Sequence, residues 1–539
     1  MPTKREVLPD YLARYQRVVF VGTAAGNASA SLGHYYASPG NAFWELLYGA
    51  GLTTSSLEPR EDAWVLVDRI GLTDLCKHHH GMDSALPTDG HDIGSFVGKI
   101  EKHAPDWVAF TSKAAARTAA KLLERSADSV HLGPQVDWQI GRSRVFVLPS
   151  TSGANRGRTG LEGKASRLEW YAELREHVWP QAVVPPCLGR ALCSELLCAL
   201  RFGHLRPLLS ATLRDTTLDL EFRGTAFNIY YRGGSLVSVS RNPSTGELAC
   251  KFDREYTDTT HSRGRAPKKG RPKAAMDLPD RKLDTLDAVT AWVDVFPRLK
   301  SAMDVYFGNP SHPKEERQYS QETVRSNNFG SACDKTDYVM ADLEYKAACA
   351  WEDPGEGPRK KDMYFDLVGA YWPSTGASRR NPDKLRLSII EVKYRETALQ
   401  GEQGLVEHMR DVMSWFGPEK VVALKAEMLA VLRQKHYLGL ISSPKPPTGF
   451  DGGRVEYLVL LADHDPGSRL LHNVLSQVEH DRPLAGPDGV DVVGLRFCTG
   501  TFMGYGIWRE GIKTLAELRS SHDRQIYSSS SSRGASTPE

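Results

Sequence analysis

The chain has 539 residues, too many for one ordinary core at roughly 100–200 residues per domain, so at least two domains are expected. Its 68 Lys+Arg against 66 Asp+Glu leave a formal charge of +2, which excludes nucleic-acid recognition by one global positive field and leaves it to local patches. Eight cysteines without a CxxC pair, an N-terminus (MPTKREVLPDYL) without an apolar signal segment, and no run of about 18 apolar residues predict a soluble, cytoplasmic protein with reduced thiols and no membrane partner.

RVVFVG reads as a short buried strand, and NAFWELLYGAGL as a helix with Phe43, Leu46, Leu47 and Ala50 on one face. A helix around Ile93–His103, a strand at DWVAFTS, a helix at KAAARTAAKLLERS, a strand at RVFVLPSTSG and a helix at SRLEWYAELREHVW follow, before VVPPC as a linker. This alternation predicts a parallel-sheet α/β domain over residues 1–183. Over 184–258, the helix GRALCSELLCALRFG and the strands of AFNIYYRGGSLVSVS, turning at Gly233-Gly234, predict an α+β region.

Residues 259–282 read as a linker: THSRGRAPKKGRPKAAM carries six Arg or Lys, no acid, and Pro and Gly that oppose regular structure. A mixed α/β domain is expected over 283–526, with strands between Tyr338 and Tyr394, a helix at LVEHMRDVMSWF and later strands at YLVLLADH and VDVVGLRFC. The tail 527–539, ending SSSSSRGASTPE, is low-complexity and expected to be disordered.

Two small-residue loops each follow an apolar strand. The first is GTAAGNASASLGHYYASPGNAFW (Gly22–Trp44); the second lies in VFVLPSTSGANR (residues 145–156). Backbone N–H groups in such a loop can cradle an anion or approach a flat ligand closely, yet the spacing is neither GxGxxG nor GxxxxGK[ST].

Gly22, Gly26, Ser29, Ala30, Tyr36, Pro39, Asn41, Phe43 and Trp44, with Val147, Leu148, Pro149, Ser150 and Ser152, resemble the two signature motifs of the mismatch-specific uracil-DNA glycosylases, also called the thymine-DNA glycosylase family. GAGLT and RIGLTDL between them extend the resemblance over roughly residues 16–182. It implies a pocket for a base taken out of the stack, with Tyr36 as the wall stacked on it and Asn41 supporting recognition. It also implies Ser150 and Ser152 near phosphate, Arg156 on the backbone or opposite strand, and a wedge near Ala154, where the family carries a larger side chain.

The family's water-activating Asn falls at Ala24, which can neither orient nor deprotonate water. Three readings stay open. Thr23, Asn27, His34 or Asp74 positions the water; the domain excises only bases that leave easily; or it binds a flipped base without cutting. KHHHGMDSALPTDGH offers Cys76, His78, His79, His80 and His91 as metal ligands, but without a metal spacing it reads as a solvated loop. No cofactor is expected in this half.

In the second half, LRLSIIEVKY places Glu391 and Lys393 on one face of a strand end, and KDMYFDLVGAYW brings Asp366 on a neighbouring antiparallel strand. Two carboxylates and a Lys suit a hard cation such as Mg²⁺, with the Lys beside the attacking water. This D-x(n)-E-x-K pattern resembles the PD-(D/E)xK nuclease superfamily, which implies a restriction-endonuclease-like domain with catalytic Asp366, Glu391 and Lys393. Glu344 is read as a further catalytic and metal-binding acid, Asp342 and Asp362 as alternates, and Gln403 and His408 lie on the following helix. PKKGRPKA resembles an AT-hook, with Arg271 entering an A·T-rich minor groove.

Together these features predict an enzyme that recognises and excises uracil-like, mismatched or modified bases in DNA and cleaves the backbone with Mg²⁺, an architecture suited to antiphage defence more than to faithful repair. The alternatives are a non-catalytic flipped-base reader fused to a nuclease, or a nucleic-acid-binding protein with both centres decayed. Homo-oligomerisation is left open.

Overall fold

The computed structural model describes residues 5–87, 90–153, 161–180, 188–257, 276–308, 315–329, 333–353, 357–401, 404–452, 455–464, 468–481, 492–500 and 512–521. It divides into two compact units, Met1–Val184 with Ala199–Arg214, and Pro185–Cys198 with Asp215–Glu539. Both mix helices with parallel-containing sheets, the α/β class that the alternating sequence pattern predicts.

In the first unit the chain runs β1 (Val18–Ala25), α1 (Asn27–Leu32), α2 (Phe43–Gly49), β2 (Ile70–His80), α3 (Ile93–His103), β3 (Trp107–Phe110), α4 (Lys113–Leu122), β4 (Gly133–Ile140), β5 (Ser143–Val147) and α5 (Arg167–Val178). The sheet order is β2-β1-β3-β5-β4, parallel throughout except for the edge strand β4. Val18–Val21, Trp107–Phe110 and Val145–Val147 are buried without alternation, as strands covered on both faces must be.

Side chains start the helices where the sequence supplies caps. Asp92 accepts from Ser95 N (2.9 Å) ahead of α3, and Ser112 from Ala115 N (3.0 Å) ahead of α4. Ala115, Ala116, Ala119 and Ala120 give α4 a small-residue face that lies against β1 and β3. Ala199–Arg214 return to this unit because Arg201 pairs with the buried Asp68 (3.3 Å) and Arg206 Nη1 donates to Tyr48 O (2.9 Å).

The remaining elements are α6 (Ser194–Arg201), α7 (Arg206–Arg214), β6 (Leu218–Phe222), β7 (Ala226–Tyr231), β8 (Gly234–Arg241), β9 (Leu248–Lys251), α8 (Leu286–Asp294), α9 (Phe296–Phe307), α10 (Glu315–Asn328), β10 (Tyr338–Asp353), β11 (Gly357–Tyr371), α11 (Gly376–Arg380), β12 (Arg386–Tyr394), α12 (Leu405–Trp415), α13 (Pro418–Leu438), β13 (Val455–Ala462), α14 (Arg469–Asp481), β14 (Val492–Gly500) and β15 (Ile512–Thr514).

β6–β9 form an antiparallel sheet. Its central hairpin turns on Arg232 (φ 51°) and Gly233 (φ 75°), with Gly234 already paired to Tyr231, so the turn sits one residue earlier than the Gly-Gly pair suggests. The larger sheet is mixed: β10, β11 and β12 are antiparallel, β12, β13 and β14 parallel, and β15 antiparallel at the edge. Every residue of β13 is buried. α10 covers β10 and β12, burying Tyr319 and Val324 against Met340, Ile390 and Val392.

In the second unit, ion pairs with buried carboxylates tie α13 to β6, and β10 to the segments that flank α6 and follow β6. Lys435 reaches Glu221 at 2.7 Å, and Asp342 takes Arg223 at 2.7 Å and Arg190 at 3.3 Å.

Candidate functional site

In the first unit the strand order turns back on itself: from β1 the chain steps to β2 on one side, then crosses to β3 on the other. Open α/β sheets bind ligands outside the carboxyl ends of strands at such a reversal. Three loops meet there. Ala42 N in the first loop donates to Thr151 O in the second (3.1 Å), Leu148 N donates to Phe110 O (2.9 Å), and Tyr36 Oη donates to Thr111 Oγ1 (3.3 Å).

Tyr36 holds its place through a left-handed backbone (φ 52°) and a stack on Phe43, ring centroids 3.7 Å apart and planes 21° from parallel. Burial and the nearby Asp74 charge push its phenol up, so the ring is a neutral platform. Asn41 Oδ1 accepts from Phe43 N (3.0 Å), which fixes the loop and leaves the amide Nδ2 as the donor it can offer. Ser150 Oγ accepts from Ser152 N (3.3 Å), shaping the second loop. Ala154 and Arg156 lie outside the described residues.

The groups proposed to replace the missing Asn separate clearly. Gly22 and Ala24 pair with Asp74 and Cys76, while strand alternation sends Thr23 to the opposite face, away from Ala24. Gly26 caps α1 in extended backbone, and Asn27 Oδ1 bonds His80 Nδ1 (3.0 Å). With Arg5, Glu6, Ala30 and Ser31, these two line an open cavity of about 930 Å³ whose walls include neither Tyr36 nor Asp74. His34 Nδ1 lies 3.4 Å from Asp62, which also accepts from Tyr35 N and Tyr11 Oη and so anchors the loop from behind.

Asp74 remains. A Cβ at position 22 would fall 2.3 Å from its Oδ1, so Gly22 is there because the carboxylate occupies that space. Burial pushes Asp74 up to about 7; Lys77 lowers it and Asp10 raises it. Lys77 Nζ is itself held by Asp10 (2.8 Å) and Tyr35 Oη (3.0 Å).

The triple histidine is not a solvated loop, because β2 runs through His80. His78 Nδ1 reaches Arg5 O (3.3 Å), and among the described residues no three His, Cys, Asp or Glu side chains converge as a metal cage, here or elsewhere.

In the second unit, the β11–β12 register pairs Leu367 with Ile390 and so carries Asp366 to the end where Glu391 begins the EVK segment. Asp366 Oδ2 accepts from Val392 N (2.8 Å). Glu391 Oε1 takes Lys393 Nζ (2.7 Å) and His408 Nδ1 (2.6 Å), the latter from α12.

Glu316 on α10 is a member that the sequence did not single out; its Oε2 accepts from Tyr394 N (3.3 Å). Only the acidic start of an otherwise polar helix hinted at it.

Burial, then the charges of Glu391 and Glu316, push Asp366 well above the carboxylate range. Glu391 is buried too, but the His408 hydrogen bond and Lys393 hold it below that range. Lys393 stays above its usual value because Glu391 and Asp366 outweigh burial.

Glu344 is not part of this group. It has left-handed backbone (φ 56°) and pairs with Arg317 at 3.1 Å. Asp342 is locked between Arg190 and Arg223. The Asp362 side chain, Gln403 and Arg271 lie outside the described residues.

Among known proteins, a uracil DNA glycosylase candidate from Methanosarcina acetivorans, solved by solution NMR, is 25% identical, with a TM-score of 0.24, over 32% of this chain and 98% of its own. Residues 9–175 match the model of the uracil DNA glycosylase superfamily. The first unit therefore carries a uracil DNA glycosylase superfamily domain.

Proposed function

We propose that the protein recognises DNA holding a uracil-like, mismatched or modified base, excises that base in the first unit, and cleaves the backbone in the second. The observation that carries the first half is the convergence of both small-residue loops and the β3 end on Tyr36, where a flipped base can stack and find amide and hydroxyl partners. Stacking on an aromatic ring contributes about 1–3 kcal/mol per base. Tyr36→Ala should therefore weaken binding to a uracil-containing duplex by about 5- to 150-fold, read by fluorescence anisotropy in EDTA.

The second half rests on the Asp366, Glu391 and Lys393 cluster at a strand end. Burial and the charges of two neighbouring carboxylates, Glu391 and Glu316, raise Asp366, and a divalent cation would relieve that repulsion, so the pair Asp366 and Glu391 fits Mg²⁺ as its protein ligands. Bound there, Mg²⁺ supplies Lewis-acid polarisation of a phosphoryl oxygen and a more acidic water. Lys393 would orient the water and balance charge, while His408 holds Glu391 in place. Excision of foreign modified bases followed by strand scission suits defence against invading DNA.

Incubating the protein with a uracil duplex in EDTA tests the first step: alkali-labile sites should appear at uracil and not at thymine. Intact strands after alkali would remove excision from this reading and leave a reader of flipped bases.

A further inference from the structure

We infer that the carboxylate of Asp74, leaning across Gly22 from the neighbouring strand, is the water-activating group that Ala24 cannot be. This rests on the proposed base-excising role of the first unit. Gly22, Ala24, Asp74 and Cys76 share one face of the sheet, because parallel partners in register point the same way. The Asp74 carboxylate fills the place of a side chain at position 22, about 7 Å along the strand from the Ala24 methyl. The water-handling side chain missing from β1 is thus replaced by a carboxylate from β2, on the same face and beside Tyr36.

Two further features separate Asp74 from a structural acid. It is 5% exposed, yet accepts no hydrogen bond from the described residues, whereas the similarly buried Asp62 and Asp68 are each committed to backbone N–H groups. It also lies beside the Tyr36 hydroxyl, which comes within 3.6 Å of the space that Gly22 leaves.

The step balances with water alone. One water O–H bond breaks and its proton passes to an Asp74 oxygen; the water oxygen bonds to C1′ of the sugar. The C1′–N bond breaks with its electron pair leaving on the base, which departs as an anion and takes a proton from solvent. Asp74 returns its proton to solvent.

A general base of this kind works best when its pKa lies near the operating pH. Asp74 is faced by Lys77 on its own strand, Asp10 from the N-terminal segment, and the phenols of Tyr35 and Tyr36; burial is the largest influence and sets it near 7.

The test is single-turnover excision from a uracil duplex in EDTA by the full chain, with binding measured in parallel. Wild-type excision should rise with pH through about 7. Asp74→Asn should bind the duplex within about 2-fold of wild type yet excise about 100-fold or more slowly, with that pH dependence gone. Gly22→Ala, which pushes the carboxylate aside, should slow excision in the same direction.

Melting at pH 8 guards against misfolding. Asp74 has a raised pKa, so its ionisation takes stability away as pH rises through about 7, and Asp74→Asn should melt no lower than wild type there. Excision by Asp74→Asn within about 5-fold of wild type, or an unchanged pH profile, overturns the assignment. So does a wild-type protein that binds uracil DNA without excising, which leaves base reading intact; failure to prefer uracil DNA in binding counts against the parent reading instead.

Discussion

Asp366→Asn should abolish Mg²⁺-dependent strand cleavage, by about 1,000-fold or more, while the protein melts at or above the wild-type temperature. Both halves follow from one cluster. The amide keeps an oxygen to accept from Val392 N, so the β11–β12 connection survives. It removes the negative charge that one of two cation ligands must supply, and a catalytic metal stabilises the transition state by several kcal/mol, with each tenfold in rate worth about 1.4 kcal/mol.

The stability sign is the reverse of that for a salt-bridged acid. Asp366 is pushed above its ordinary range by burial, Glu391 and Glu316, so its stabilising protonated form is lost as pH rises through the folded-state pKa. Asparagine stays neutral, and its advantage should grow toward alkaline pH. A plasmid-nicking assay with a thermal melt at pH 6 and pH 9 reads both; a variant that cuts normally removes Asp366 from the machinery.

Asp342→Ala is expected to destabilise the second unit by about 3–5 kcal/mol, the range for breaking a buried ion pair by deleting one partner. Asp342 is 1% exposed and holds two guanidinium groups, Arg190 and Arg223, which the truncation would strand. Its effect should therefore appear in urea unfolding and not as a change in Mg²⁺ dependence once the protein is folded. A folded variant of wild-type stability with altered metal dependence would show that Asp342, and not Glu316, completes the acidic cluster.

The parts of this architecture written in local pattern were legible. VVFV, DWVAF and RVFV are apolar runs of strand length, and Asp92, Ser112 and Ser166 stand where helices α3, α4 and α5 begin. The loop residues Tyr36 and Asn41, and the triad Asp366, Glu391 and Lys393, were legible as residue types at meaningful spacing.

What was hidden depends on partners distant in the chain. β2 looks like a loop because His78–His80 are polar, yet it is bonded to β1 along its length and its end is satisfied by Arg5 and Asn27. Nothing around Glu344 marks the left-handed backbone and the Arg317 partner that separate it from Asp366. Glu316 precedes Glu391 by 75 positions in a helix whose acidic start reads as solvated surface; packing α10 on β12 makes it a neighbour. Asp74 could be noticed from the sequence, but only the 2.3 Å approach at Gly22 distinguishes it from Thr23, Asn27 and His34.

On the proposed function, one chain couples base removal to backbone cleavage through two separable sites. The measurement that tests it most directly compares wild type and Asp366→Asn on matched uracil and thymine duplexes with Mg²⁺, with each product run before and after alkali. Wild type should break the uracil duplex without alkali, Asp366→Asn should leave strands intact until alkali reveals abasic sites, and both should spare the thymine duplex. Equal cutting of thymine and uracil duplexes, or alkali-independent breaks from Asp366→Asn, would contradict that coupling.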